Sequence, residues 1–179
     1  MSMHVNAKKV AFLGLLLAIC EILLVLSKVI DVSTLFFLAA ASFCTGIAVR
    51  EYGISMGFGF FLASEILGLI LAPDKLYCVT YGIMAFYIWG SDAVWNIMIK
   101  KDAGKNWTRL FWTAKYLLFN AMYIPAVLFL PQLFYSGTYH TGVKIALIAA
   151  GQIILFVFDK AYCYFQSAIW GKYRKFLEK

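Results

Sequence analysis

The sequence predicts an all-α membrane protein of six transmembrane helices, both termini cytoplasmic, built as a single integral membrane domain over residues 1–179. Three observations carry that prediction. Hydrophobic side chains make up 63% of the chain and charged ones only 14%, which leaves a soluble globule too little polar surface. Apolar runs long enough for a hydrocarbon core of roughly 30 Å follow one another across short polar breaks, with no low-complexity tract or Pro/Gly/Ser-rich linker to open a second domain. Lysine and arginine collect at alternate ends of those runs, as the positive-inside rule requires.

The runs are Val10 to Ile30, Ser33 to Val49, Ile54 to Ala72, Lys75 to Ile99, Thr108 to Leu130 and Val143 to about Ile169. The first follows Lys8 and Lys9 like a signal sequence, but it is too long and lacks a small-residue cleavage site, so it is expected to remain as a helix. The second is short, and the last runs past the membrane. With the amino terminus inside, the inner segments hold Lys8, Lys9, Arg50, Lys100, Lys101, Lys105, Arg109, Lys172, Arg174, Lys175 and Lys179. The outer segments hold Lys28, Lys75 and Lys144. The net charge of +7 is thus explained by topology rather than by nucleic acid. Beyond the last span, Trp170, Tyr173, Phe176 and Leu177 interleave with basic residues as an interfacial tail.

In depth, the ionisable residues within the spans fall into two sets. Asp92, Lys115, Asp159 and Lys160 lie in the inner halves of helices four, five and six, where two acids and two bases can neutralise one another; a proton relay through the acids is the functional alternative. Glu21 and Glu65 lie just outward of the middle of helices one and three, with no base at their depth. Either Lys28 and Lys75 reach down to them from the outer boundary, or the acids line a cavity that opens outward. A third reading is two protonated acids hydrogen-bonded inside the bundle. Carboxylates at membrane depth are costly and mark candidate sites.

The outer connections add polar and aromatic groups. Ala72-Pro73-Asp74-Lys75-Leu76-Tyr77 forms a compact lip, continued by Thr80 and Tyr81, and Pro131 to Gly142 is long enough to act as a lid. Tyr77, Tyr81, Tyr123, Tyr135 and Tyr139 at this end suit either an interfacial aromatic belt or a small-molecule pocket. Gln152 and Asn120 are mid-span amides that hold helices together or read a substrate, and His140 is a solvated loop side chain. Cys20, Cys44, Cys78 and Cys163 form no ligand cluster and are expected to be buried free thiols. Neither a metal nor a redox cofactor is indicated.

Small residues form stripes at helical spacing. Ala7, Ala11, Gly14 and Ala18 share one face of helix one with Glu21, within roughly an 80° arc. Such a face lets another helix approach closely in lipid. Helix three carries Ser55/Gly59/Ala63 and Ser64/Gly68/Ala72, most simply read as close-packed contacts inside the bundle.

Taken together, the chain resembles the S components of energy-coupling factor transporters, the substrate-binding membrane subunits of bacterial importers. The resemblance rests on the length, six helices, cytoplasmic termini and the motif Ala7-Lys8-Lys9-Val10-Ala11 running into Gly14-Leu15-Leu16-Leu17-Ala18. It implies a protein of the bacterial cell membrane that hydrolyses nothing itself. It would take a small vitamin-like molecule or other micronutrient from the outer face, with a transmembrane coupling subunit docked on Ala7, Ala11, Gly14 and Ala18 and two ATPase subunits beneath. Depth and chemistry select Glu21, Glu65, Asp74, Lys75, Tyr77, Tyr81, Tyr123, Tyr139 and Gln152 as substrate-binding candidates. Two acids in an apolar core suit a cationic or amine-bearing substrate. A non-transport scaffold for cell-envelope assembly is the competing class. An intramembrane enzyme using Glu21 or Glu65 as general base ranks last, because no nucleophile, metal set or phosphate motif accompanies them.

Overall fold

The computed structural model describes residues 7–30, 33–72, 74–100, 107–129 and 141–172. Within them the chain is helical, with no strand: α1 (Ala7–Val29), α2 (Thr34–Tyr52), α3 (Ile54–Leu71), α4 (Lys75–Lys100), α5 (Trp107–Phe129) and α6 (Thr141–Tyr164), the last continued by a π-helical segment, Phe165–Trp170. Among the described residues α1, α2, α3 and the stretch Gly142–Trp170 are long and apolar enough to cross a membrane. Helices α4 and α5 have the length but carry more polar side chains, among them Asp92, Asn96, Arg109 and Lys115.

The chain divides into two compact units, Met1–Leu118 and Phe119–Lys179. In the first, α2 packs against α1, α3 and α4. Its inner face is made of Ala41, Ser42, Cys44, Thr45, Gly46 and Ala48, all buried. Side chains this small let backbones approach closely, which is how helices gain contact energy where the surroundings are as apolar as the core. Leu16 and Leu24 of α1, Phe60 of α3 and Ala85 and Ile88 of α4 fill the remaining space. The outward faces carry Leu15, Ile22, Phe36, Ile66 and Ile70 well exposed, as a helix set in lipid requires.

A single residue joins α2 to α3. Gly53 has φ +87°, a backbone conformation that only glycine adopts without strain, and its N–H donates to the Val49 carbonyl at 2.8 Å. Beyond the turn, a Cβ on Gly57 would lie 2.2 Å from Val49 Cγ2 and 2.9 Å from Val49 Cα. The two helices touch backbone to backbone there. Residues 55 and 59 sit two positions either side of Gly57, about 200° around the helix. This corrects the expectation for one α3 stripe: Ser55, Gly59 and Ala63 are exposed, whereas Ser64, Gly68 and Ala72 are buried as expected. Cys163 of α6 also departs from expectation, being exposed, while Cys20, Cys44 and Cys78 are buried free thiols.

In the second unit, polar side chains fasten α5 to α6. The amides of Asn120 and Gln152 exchange hydrogen bonds at 2.8 and 3.2 Å. The Tyr123 hydroxyl donates to the Leu147 carbonyl at 2.8 Å, and its ring lies where a Cβ on Gly151 would be, 2.3 Å from Cε1.

Candidate functional site

Glu21 projects from α1 into the packing between α1, α3 and α4. It is only 6% exposed, and neither carboxyl oxygen has a hydrogen-bond partner. A Cβ on Gly68 of α3 would lie 3.7 Å from Glu21 Oε2, 3.1 Å from Leu24 Cδ1 and 3.7 Å from the Cys78 sulfur. Glu65, half-buried on α3, is pressed against α4 at Gly82, where an added Cβ would lie 2.9 Å from Oε2. That oxygen too is buried without a partner. Glycines at 68 and 82 therefore make the room in which the two carboxyl groups sit.

Burying an ionised carboxylate without a counter-charge or donors is among the largest penalties a fold can carry. Two such groups in one bundle of four helices are a local conflict of the kind that marks functional sites. The boundary lysines do not resolve it. Lys28 pairs with Asp74 at 3.6 Å and lies over the Tyr77 ring at 5.3 Å. The Lys75 ammonium instead donates to the Leu69 and Ala72 carbonyls at the C-terminal end of α3. Asp74 also accepts from the Leu76 N–H at 3.0 Å, fixing the start of α4.

Asp74, Lys75 and Tyr77 are thus brought together as an interlocked cap at one end of α1, α3 and α4. Tyr81 lies deeper. Six residues into α4, about 9 Å below its start, it is fully buried, and its hydroxyl donates at 2.6 Å to Ser64, which itself donates to the Phe61 carbonyl. The Cys20 thiol stands 3.4 Å from the same hydroxyl and 3.5 Å from the Ala41 carbonyl. This knot ties α1, α2, α3 and α4 immediately beside Glu21. Sequence reasoning missed it, since depth along α4 was legible but rotation was not. Tyr123 and Gln152 belong to the other unit and make the α5–α6 contacts already described. Tyr139, with Tyr135, His140 and the expected lid up to residue 140, lies outside the described residues, as does Pro73, while Thr141 and Gly142 open α6.

At the opposite end of α1, Ala7, Ala11, Gly14 and Ala18 are all exposed. A Cβ added at Gly14 would meet nothing within 4 Å. The stripe faces outward, with Leu15, Ile19 and Ile22 exposed beside it. Lys9, over the Tyr52 ring at 5.9 Å, and Phe12, in edge contact with the same ring, seat the start of α1 against the end of α2. Of the inner ionisable set, Lys115 is buried over the Phe111 and Trp112 rings and Lys160 is exposed beside Phe156. Among the described residues no group of three or more His, Cys, Asp or Glu is placed to hold a metal ion.

No protein-family model, curated protein or solved structure matches the chain.

Proposed function

We propose that the chain is the substrate-specific membrane subunit of an energy-coupling-factor importer of the bacterial cell membrane. It crosses the bilayer six times with both termini cytoplasmic, binds a small vitamin-like molecule or other micronutrient, and is driven by a transmembrane coupling subunit and two ATPase subunits. The observation that carries the reading is the division of α1. Its small residues are exposed along the whole stripe from Ala7 to Ala18, free to receive a partner helix, while Glu21 on the same helix is buried without a partner. One helix therefore links a docking face to an unsatisfied acid.

An amine-bearing or cationic substrate would satisfy Glu21 and Glu65 with charge-assisted hydrogen bonds. Because Glu21 is closed in by α3 and α4, access to it requires α4 to part from α1 and α3, breaking the Lys28–Asp74 contact and the Tyr81 knot. The coupled ATPases supply the work of moving between such states, and no step in this subunit needs a nucleophile.

Co-expression with a coupling subunit and its ATPases tests the docking face. Replacing Ala11 and Gly14 by leucine abolishes co-purification while leaving the isolated chain folded; undiminished assembly refutes the interface. For the binding site, E21Q and E65Q each weaken binding of an amine-bearing substrate identified by mass spectrometry of the gently purified protein, and unchanged affinity in both removes the acids from it.

One observation favours a scaffold for cell-envelope assembly instead: Asp74, Lys75, Tyr81, Tyr123 and Gln152 all have partners within the chain, and two small-residue stripes stand exposed for protein contacts. Ligand linkage separates the two readings. A binder gains about 2.7 kcal/mol of stability at a hundredfold excess of ligand over Kd, and a scaffold gains nothing.

A further inference from the structure

At the end of the first unit where α2 turns into α3, a cavity of about 690 Å³ is walled by Arg50 and Ser55 on one side and Asp92, Trp95 and Asn96 of α4 on the other. It lies at the level where α2 ends and α3 begins. Arg50 is in the last turn of α2 and Ser55 in the first turn of α3, and Asp92 is eight residues, about 12 Å, from the end of α4. Arg50, Ser55 and Trp95 are exposed, so the cavity opens to the surroundings.

The lining has a definite chemical order. Arg50 supplies a planar cation suited to phosphate. Next to it, Gly53 offers no side-chain cap to α3, so the first-turn N–H groups and the Ser55 hydroxyl add donors of the same preference. Across the cavity stands the Asp92 carboxylate, with Asn96 held beside it by a 2.8 Å bond from its amide to the Asp92 carbonyl. Trp95, seated edge-on against Trp107 and Phe111 at 4.9 and 5.3 Å, gives the amphipathic ring that favours the glycerol level of a bilayer. A simple anion would meet Arg50 but be opposed by Asp92. A group carrying phosphate and a protonated amine a few bonds apart meets both.

We propose that this cavity is a lipid-headgroup site selective for an aminophospholipid, phosphatidylethanolamine in chemical type. Its phosphate lies on Arg50 and the start of α3, and its ammonium on Asp92 and Asn96. A quaternary ammonium has no N–H to donate, so phosphatidylcholine fits the space and loses the Asp92 hydrogen bonds. Phosphatidylglycerol brings no cation at all. The site serves the chain in whichever reading of its function holds.

Native mass spectrometry of the full chain, with ethanolamine, choline and glycerol phospholipids of identical acyl chains added in equal amounts, tests the assignment. The ethanolamine lipid is retained about tenfold over the other two, and retention falls stepwise along the mono-, di- and trimethylated amine series; this readout needs no variant. D92N abolishes the preference for ethanolamine over choline, and R50Q lowers retention of all three lipids. Soluble phosphoethanolamine at equal concentration does not displace the lipid. Equal retention of the three headgroups, insensitivity to methylation, or full displacement by the soluble compound overturns the proposal.

Discussion

Two glycines separate the inside of the first unit from its surface, and replacing each by alanine should give opposite results. At Gly57 the added Cβ arrives 2.2 Å from Val49 Cγ2 and 2.9 Å from Val49 Cα. The side chain can rotate away, but the backbone atom cannot, so α2 and α3 must separate by close to an ångström. Overpacking of this kind costs about 1–3 kcal/mol, with the backbone contact placing Gly57 near the top of that range. Alanine returns up to about 1 kcal/mol of helix propensity, leaving a net loss of about 2 kcal/mol. At Gly14 nothing lies within 4 Å, so only the propensity gain remains and G14A is neutral or more stable by up to about 1 kcal/mol. Reversible unfolding of both variants in one mixed-micelle system, by denaturant titration with far-ultraviolet circular dichroism, reads the difference. Equal stability of G57A and G14A would refute the backbone contact between α2 and α3 and the outward setting of the α1 stripe together.

The amide pair of the second unit makes a double-mutant prediction. N120L or Q152L alone takes the amide–amide exchange from the other half-buried side chain and costs about 1 kcal/mol, whereas N120L/Q152L together recovers most of it, since replacing both partners removes the polar groups as well as the bonds between them. Thiol chemistry gives another. In detergent, a small uncharged maleimide modifies Cys163 in the native protein and reaches Cys20, Cys44 and Cys78 only after denaturation, read as intact mass; rapid native labelling of Cys20 would contradict its burial beneath α2 and α4.

Helix positions were almost wholly legible, because a largely apolar run between polar breaks encodes its own ends. The span read as Ile54 to Ala72 is α3, Ile54–Leu71, and that read as Lys75 to Ile99 is α4, Lys75–Lys100. Rotation about the helix axis was not legible. The two stripes of α3 have the same spacing and similar residues, yet one is buried and the other exposed, because the choice belongs to Val49 and Gly57 on facing helices rather than to periodicity. The same limit applies to the site. The lack of a base at the depth of Glu21 could be read from the sequence, but whether that acid meets Lys28, lines a cavity or packs internally could not, because the pairing of Lys28 with Asp74 and the burial of Glu21 depend on how the helices pack. The Arg50 and Asp92 cavity joins residues 42 positions apart, and no local pattern in the sequence links them.

The one-residue joint at Gly53 has a mechanical consequence. A connection that short holds no slack, so α2 and α3 behave as the two arms of a stiff staple. When a thinner or thicker bilayer forces one arm to tilt, the other must swing with it. Any displacement imposed on the exposed α3 stripe is thereby carried by α2 into the centre of the unit, against the helix from which Glu21 projects.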